Sequence, residues 1–530
     1  MSSYEDYPFR RLVLGPMLSR IAKKYPNHPA IVDLFRNKRL TYKEFNDRVN
    51  SLANGLLNMG VRPGDHVAIM FYNEHRIMES YFAVWKIGAV AAPLNFRFGA
   101  NELKFVLPHS ESVALIFGGD FIPAVEEIKK EVKNVKHFIC ASDTPPEDMR
   151  SYEELIENCP STEIPGKYWP QDDDPCLLLY TAGTTGRPKG VIHTHKDRYI
   201  TLADYNIHMG TRPFGTVGVI TPIFHCSALT GLLATMYVAG KCVIMMPGPP
   251  EQFLEALDKE KIEATFQIPV MWIWCIRSPK FEEYDVSSLK HLVTGAQPTP
   301  LTVKKELMEK FPNATFHDQF GQTEAMPPAT DLSSEFADMY GKPDSLGIPL
   351  FCVEVRVVDE NSNDVAPGEI GEAVYRSPHI MTEYYKDSER TKATFEGGWF
   401  HSGDMVRKDE DGYIYFTERK DDMIITGGEH VYPTEIEEVL YAHPKVMEAA
   451  VIGAPDKKWG QTPKAFIVLK EGETATEQEI LDYCKEKLTS YKKPTRVEFV
   501  ESIPKSVVGK TLRKILRDME KEKYEKAKGK

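Results

Sequence analysis

Thr41-Tyr-Lys-Glu44 has the spacing of a capping box, and Phe45, Val49, Leu52 and Leu56 follow it at intervals that place them on one helical face. The apolar run 66–70 then predicts a strand, 76–86 an amphipathic helix and 89–94 a second strand, which together make a βαβ unit. Short apolar runs at 113–117, 176–180, 217–220, 242–246, 265–269 and 291–294 alternate with helical stretches such as 251–261 and 301–311. That alternation predicts an α/β fold with substantial parallel sheet. After about residue 345 the texture changes, and turn signals at 364–371 and 409–412 predict a β-rich subdomain. The span 417–440 packs charge, two glycines and a proline-initiated helix together, the pattern of a hinge. Beyond it, strands at 446–453, 465–470 and 497–500 and a helix capped at Thr476-x-x-Glu479 predict a small α+β domain. The closing run KEKYEKAKGK is expected to be a frayed, solvated stretch of charge.

A chain of 530 residues exceeds one ordinary domain, and its 42% hydrophobic content is enough for a full core. The net charge of −12 gives no global attraction to nucleic acid or to an anionic membrane. Eight scattered cysteines, with no Cys-x-x-Cys pair, predict reduced thiols and no zinc site. The N-terminus lacks the basic start and long apolar stretch of a signal peptide, and no run is long enough for a membrane span. The expectation is a cytoplasmic protein, monomer or homodimer, without an integral membrane segment.

The stretch YTAGTTGRPKG, from Tyr180 to Gly190, follows a buried-looking strand and has the makings of a phosphate cradle. Its glycines turn the backbone tightly, its threonines add hydroxyl donors and Lys189 supplies a point charge. A Walker-type loop is excluded by spacing, since Pro188 stands where the second glycine belongs and Gly190 follows Lys189. Four more segments follow in order: FGQTE at 320–324, HSGD ending at Asp404, ERKDD containing Arg419, and PKSVVGK ending at Lys510.

With these five segments in this order, the chain resembles the adenylate-forming superfamily of acyl-CoA synthetases, nonribosomal-peptide adenylation domains and beetle luciferases, from the helix at Thr41 to about Arg513. The resemblance implies a large N-terminal domain of layered αβ sheets with a β-rich subdomain, and a small mobile α+β C-terminal domain. The implied boundaries are 1–419 for the adenylation domain, 420–422 for the hinge and 423–530 for the mobile domain. It implies that Thr181, Ala182, Gly183, Thr184, Thr185, Gly186 and Lys189 hold the ATP phosphates, with Ala182 standing where many relatives have serine. Thr323 is implied to meet the α-phosphate, and Glu324 to bind Mg²⁺, for which a carboxylate is a suitable hard ligand. Asp404 and Arg419 would hold the ribose, while Gly295, Ala296, Gln297, Phe320 and Gly321 would surround the adenine. Phe320 replaces the family's usual tyrosine, which keeps stacking and removes a phenolic hydrogen bond. Lys510 is implied to be the adenylation lysine, a cation that bridges the acid and the α-phosphate.

For the second half-reaction the resemblance makes Asp421 the pivot and brings Gly427 and Gly428 to the thiol's path. Trp459 and Lys493, with its neighbour Lys492, would meet CoA, although Trp459 reads equally as a packing residue. His225 stands where amino-acid-activating relatives keep an aspartate, so no partner for an α-amino group is present at that position. It is read either as a gate to the pantetheine tunnel or as a satisfied core histidine. Ala228, Leu229, Met271, Trp272, Met326 and Pro327 would form an apolar acyl pocket. The implied function is an AMP-forming acyl-CoA synthetase that uses ATP, Mg²⁺ and CoA on a hydrophobic acid: fatty, with a place in fatty acid metabolism, alicyclic or aromatic. The alternatives are an acyl-AMP ligase that loads a separate carrier protein and a nucleotide sensor that performs no chemistry. Neither a carrier nor a condensation domain is expected beside it.

Overall fold

The computed structural model describes residues 11–181, 188–296, 299–325, 328–335, 337–426, 429–456, 458–488, 492–505 and 511–528. The chain divides into two compact units, Met1–Glu354 with Arg376–Glu396, and Val355–Tyr375 with Gly397–Lys530.

The first unit is built on two sheets. In the eight-stranded sheet, Pro175–Thr181, Val90–Pro93, His66–Met70, Ala114–Gly118, His137–Ala141 and Arg150–Ser151 run parallel, in that order. Lys189–Thr194 and Glu383–Tyr384 close one edge antiparallel. The nine-stranded sheet has a parallel centre of Thr315–Phe320, His291–Gly295, Ala264–Phe266, Thr216–Val219, Lys241–Ile244 and Pro29–Asp33, with antiparallel strands at both edges. Both faces of such strands are covered, so they read as continuous apolar runs, as Leu177, Leu178 and Leu179 do in the core.

The predicted capping box is present: Glu44 N–H donates to Thr41 Oγ1 at 3.2 Å and Thr41 N–H to Glu44 Oε2 at 2.8 Å, and the helix runs Tyr42–Asn58. His75–Lys86 is not the amphipathic helix expected at 76–86, since every residue but Arg76 is buried and Tyr81, Phe82 and Trp85 are inaccessible. The run 265–269 is not one strand. The strand stops at Phe266 and Pro269 starts the helix Pro269–Ile276, a position where the missing N–H costs nothing.

The second unit holds a four-stranded sheet, containing Phe400–Lys408 and Ile414–Arg419, and a five-stranded sheet centred on Gly460–Leu469. The β-rich part therefore belongs to the same compact unit as the C-terminal α+β part. Thr434, on the helix Pro433–Tyr441, donates to Glu418 and to the Thr417 carbonyl, joining the two. Residues 521–528 of the charged tail are helical rather than frayed, as the end of the helix Arg513–Lys528. Leu516 is buried, and Lys523 pairs with Glu520 at 2.9 Å one turn away. Among the described residues no helix is long and apolar enough to cross a membrane, and every cysteine is unpaired.

Candidate active site

Thr181, Gly295 and Phe320 all lie at the carboxyl ends of parallel strands, where an open α/β sheet presents its ligand-binding loops. Thr181 pairs with Lys189 across an antiparallel hairpin, so the two ends of the glycine- and threonine-rich loop are fixed beside each other. Ala182, Gly183, Thr184, Thr185 and Gly186 lie outside the described residues. Thr181 Oγ1 is buried with no hydrogen-bond partner among the described residues, an arrangement that is unfavourable unless a ligand completes it. The Lys189 ammonium lies 5.2 Å from the centre of the Tyr384 ring.

Thr323 and Glu324 sit in a single 3₁₀ turn just after the strand that ends at Phe320. His193 Nε2–H donates to the Thr323 carbonyl at 2.9 Å, and burial pushes this imidazole's pKa down, which keeps it neutral. Below it, Arg198 donates to Asp197 at 2.6 Å and to the His379 carbonyl at 2.9 Å, all three residues being buried. Glu324 is 7% exposed, its Oε1 accepts from Tyr384 O–H at 3.0 Å, and its carbonyl accepts from Met381 N–H at 2.7 Å. Among the described residues no lysine, arginine or histidine lies within ion-pair distance of it. A nearly buried carboxylate without a counter-cation, beside the expected phosphate loop, fits a divalent metal with oxygen ligands.

His225 is the N-cap of the helix Cys226–Tyr237: its Nδ1 accepts from Ser227 N–H at 3.4 Å and lies 3.1 Å from Ser227 Oγ. The same turn places Cys226 Sγ 3.6 Å from His225 Nδ1 and 3.7 Å from Thr323 Oγ1. Burial alone would raise the Cys226 thiol's pKa, but His225 and Thr323 outweigh it and the thiol lies below its ordinary value. The loop before His225 is held from the other sheet by buried Asn73. Its Nδ2 donates to the carbonyls of Thr221 and Met245, at 2.9 and 3.1 Å, with the Ile220 carbonyl within reach at 3.3 Å, and its Oδ1 accepts from Ile223 N–H.

On the adenine side, a Cβ on Gly295 would stand 2.3 Å from the Gln319 carbonyl, so only glycine fits between these paired strands. Ala296 follows with φ +67°, a left-handed conformation of the kind that turns a chain sharply at a ligand loop. Phe320 is half-buried with its carbonyl bonded to Ala329 N–H, Gly321 follows in an irregular turn, and Gln297 lies outside the described residues.

Of the expected acyl-pocket residues, Ala228 lines a cavity with Val217, Val219, Gly231, Phe266 and Val293. A second cavity of ≈ 310 Å³ shares Val217 and Ala264 with it and is also lined by Arg212, Lys290 and His291. Leu229 and Trp272 are fully buried, Met271 is half-buried on the helix Pro269–Ile276, and Met326 and Pro327 lie outside the described residues. In a buried His208–Asp331–His317 cluster both imidazoles bond to one carboxylate oxygen, at 2.8 and 2.7 Å, while Asp331 Oδ1 has no hydrogen-bond partner among the described residues.

In the second unit, Asp404 and Arg419 face each other across paired strands and form an ion pair, with Asp404 buried. Glu372 braces the residues that flank this pair, accepting from Gly403 N–H at 2.9 Å and from Lys420 at 3.0 Å. Asp421 is exposed in the turn that follows Arg419, and its neighbour Asp422 pairs with Arg513 and Arg517. Trp459 is half exposed, with the Lys458 ammonium 4.4 Å from its ring. Lys493 is half-buried, whereas Lys492 is tied to Glu435 at 2.8 Å. Gly427, Gly428 and Lys510 lie outside the described residues.

Residues 18–385 match the AMP-binding enzyme family, and residues 435–510 match the AMP-binding enzyme C-terminal domain. A feruloyl-CoA synthase of an Amycolatopsis species is 34% identical over 515 residues, covering 94% of this chain and 97% of that protein. A long-chain fatty acid–CoA ligase of Mycobacterium tuberculosis is 33% identical over 509 residues, covering 95% and 98%. The crystal structure of an anthranilate CoA ligase in complex with anthranoyl-AMP is similar with a TM-score of 0.86 at 28% identity, covering 96% of this chain and 97% of that one.

Proposed function

Because the chain belongs to the AMP-binding enzyme family and is an AMP-forming acid–CoA ligase, we propose that its acid is a hydrophobic carboxylate, of medium- or long-chain fatty, alicyclic or aromatic type. In the first half-reaction a carboxylate oxygen of the acid attacks the α-phosphorus of ATP and the bond to pyrophosphate breaks, leaving an acyl-adenylate. In the second, the sulfur of CoA attacks the acyl carbonyl, AMP leaves and the thiol proton is lost.

In this reading Thr181, Lys189 and the intervening loop hold the β- and γ-phosphates, and Thr323 meets the α-phosphate. Asp404 accepts from the ribose hydroxyls, with Arg419 holding its carboxylate in place. Glu324 would hold Mg²⁺, which neutralises phosphate charge when bound. Lys510 bridges the incoming carboxylate and the α-phosphate, two anions that otherwise repel. Residues 420–422 act as the hinge between the half-reactions, and Gly427, Gly428, Trp459 and Lys493 meet CoA. The observation that carries the reading is the buried Glu324 carboxylate, which has no cationic side chain within ion-pair distance among the described residues and is joined through Tyr384 to the strand that leaves the phosphate loop. Val217, Val219, Ala228, Phe266 and Val293 around the cavity support a hydrophobic acid, and its polar lining consists of the uncharged residues Tyr205, Thr221, Ser227 and Thr265.

The test is Lys510→Ala, assayed separately for each half. Acid-dependent pyrophosphate release is expected to be lost, while CoA thioester formation from supplied acyl-AMP persists. Equal loss of both halves refutes the role of Lys510. A panel of fatty, alicyclic and aromatic acids, followed by CoA-dependent AMP release, identifies the acid class, and pyrophosphate exchange without any CoA-dependent AMP release would select carrier loading instead.

A further inference from the structure

The segment Arg376–Glu396 leaves the second unit's sequence and packs into the first unit, where it meets both halves of the expected phosphate site. Glu383–Tyr384 adds an antiparallel strand to Lys189–Thr194, with Tyr384 opposite Val191. Thr382 N–H donates to the Ile192 carbonyl at 2.9 Å and Tyr385 N–H to the Gly190 carbonyl at 2.8 Å. The backbone of Tyr384 is therefore locked to the strand that begins at Lys189. Its ring lies under the Lys189 ammonium and its hydroxyl donates to Glu324 Oε1 at 3.0 Å, in a buried environment. Met381 N–H, three residues earlier, fixes the Glu324 backbone.

We propose that Tyr384 is a positioning residue for the metal-binding carboxylate: its hydroxyl fixes the rotamer of Glu324, and its ring sets the height of Lys189 above the same site. The proposal rests on the reading of Glu324 as the Mg²⁺ ligand. A carboxylate that accepts one bond on Oε1 keeps its remaining lone pairs for a cation, and its orientation is set before the cation arrives. Without that bond the side chain is free to rotate, and ordering it counts against metal binding.

Tyr384→Phe keeps the ring and removes only the hydroxyl. ATP binding to the full chain is measured by calorimetry, without acid or CoA, across a series of free Mg²⁺ concentrations. The Mg²⁺ concentration for half-maximal ATP binding is expected to rise by roughly 10-fold in Tyr384→Phe, the ordinary effect of losing a partner of a metal ligand. ATP affinity at saturating Mg²⁺, and the melting temperature, should match the wild type. An unchanged Mg²⁺ requirement overturns the proposal, as does an ATP affinity that falls equally at every Mg²⁺ concentration, since a purely structural loss would behave that way. Glu324→Gln separates the two levels. A wild-type Mg²⁺ requirement in that variant refutes the metal reading itself, whereas a raised requirement there beside an unchanged Tyr384→Phe refutes only the part assigned to Tyr384.

Discussion

Arg513 offers the sharpest test of how the second unit is held together around the expected hinge. Its guanidinium donates to both oxygens of Glu437, at 2.7 and 3.3 Å, and lies 3.5 Å from Glu418 and 3.4 Å from Asp422. Glu418 is fully buried yet keeps two other donors, the N–H groups of Arg419 and Thr434, with the Thr434 hydroxyl shared between it and the Thr417 carbonyl. Glu437 has one, Val451 N–H at 2.7 Å. Burial pushes the Glu437 pKa upward even with Arg513 beside it. Arg513→Met therefore strands Glu437 rather than Glu418. Removing one partner of a buried pair costs about 3–5 kcal/mol. Glu437 can escape part of that cost by taking a proton, which at pH 7 requires about 1.36 kcal/mol for each of the roughly 2.7 pH units above its ordinary value, or about 3.7 kcal/mol. The destabilisation should thus be about 3.7 kcal/mol at most at pH 7 and about 1 kcal/mol at pH 5.

The direction follows from proton linkage. In the variant, folded Glu437 binds a proton more readily than the unfolded chain does, so the stability is present below the unfolded value near pH 4.3 and is lost as pH rises towards the folded one. Hydrogen exchange of the strand Val446–Asp456, corrected for the intrinsic effect of pH, reads the local opening free energy in wild type and variant at both pH values. A penalty that is the same at pH 5 and pH 7 would refute the reasoning. So would a failure of Glu437→Gln to recover most of the loss in the Arg513→Met background.

Other substitutions test other parts of the molecule. Gly295→Ala forces a methyl to within 2.3 Å of a backbone carbonyl, and is expected to lower stability by about 1–3 kcal/mol or more and to weaken AMP binding, as read by thermal melts with and without AMP. Asp404→Ala removes the carboxylate that pairs with Arg419 and should reduce AMP affinity by roughly 10- to 100-fold by calorimetry, with wild-type affinity counting against a ribose-binding role. Burial lowers the Lys86 pKa to about 8, although its ammonium lies within hydrogen-bond distance of Ser19, Asn46, Asn50 and Glu163. Between that value and the ordinary lysine range the unfolded chain holds more protons, so stability relative to Lys86→Met should rise with pH, by at most about 1.4 kcal/mol per unit in urea unfolding.

The parts of this fold that were legible in the sequence are those whose signals are local. The capping box at Thr41 bonds residues three apart, and the parallel strands announce themselves as apolar runs because both of their faces are covered. The candidate site residues that were legible stand at the ends of those strands, where short polar motifs interrupt apolar runs. Their supports have no such signal. Tyr384 meets Glu324 across 60 residues, His193 meets Thr323 across 130, Asn73 reaches Ile220 across 147 and Arg198 reaches His379 across 181. The one local hint was VIHTHKDR, in which a strand end is followed by Thr194-x-x-Asp197, a capping box that carries more polar groups than a buried edge ordinarily tolerates. The tail misleads in the opposite sense: it is solvated as its charges predict, but 521–528 continue a helix whose preceding turns are anchored by Leu516 and the Lys464–Glu520 pair, and so are not frayed. A polar residue in the interior is fixed by its partner and not by its neighbours, so the scaffold of a site like this one becomes visible only once strands far apart in sequence have been paired.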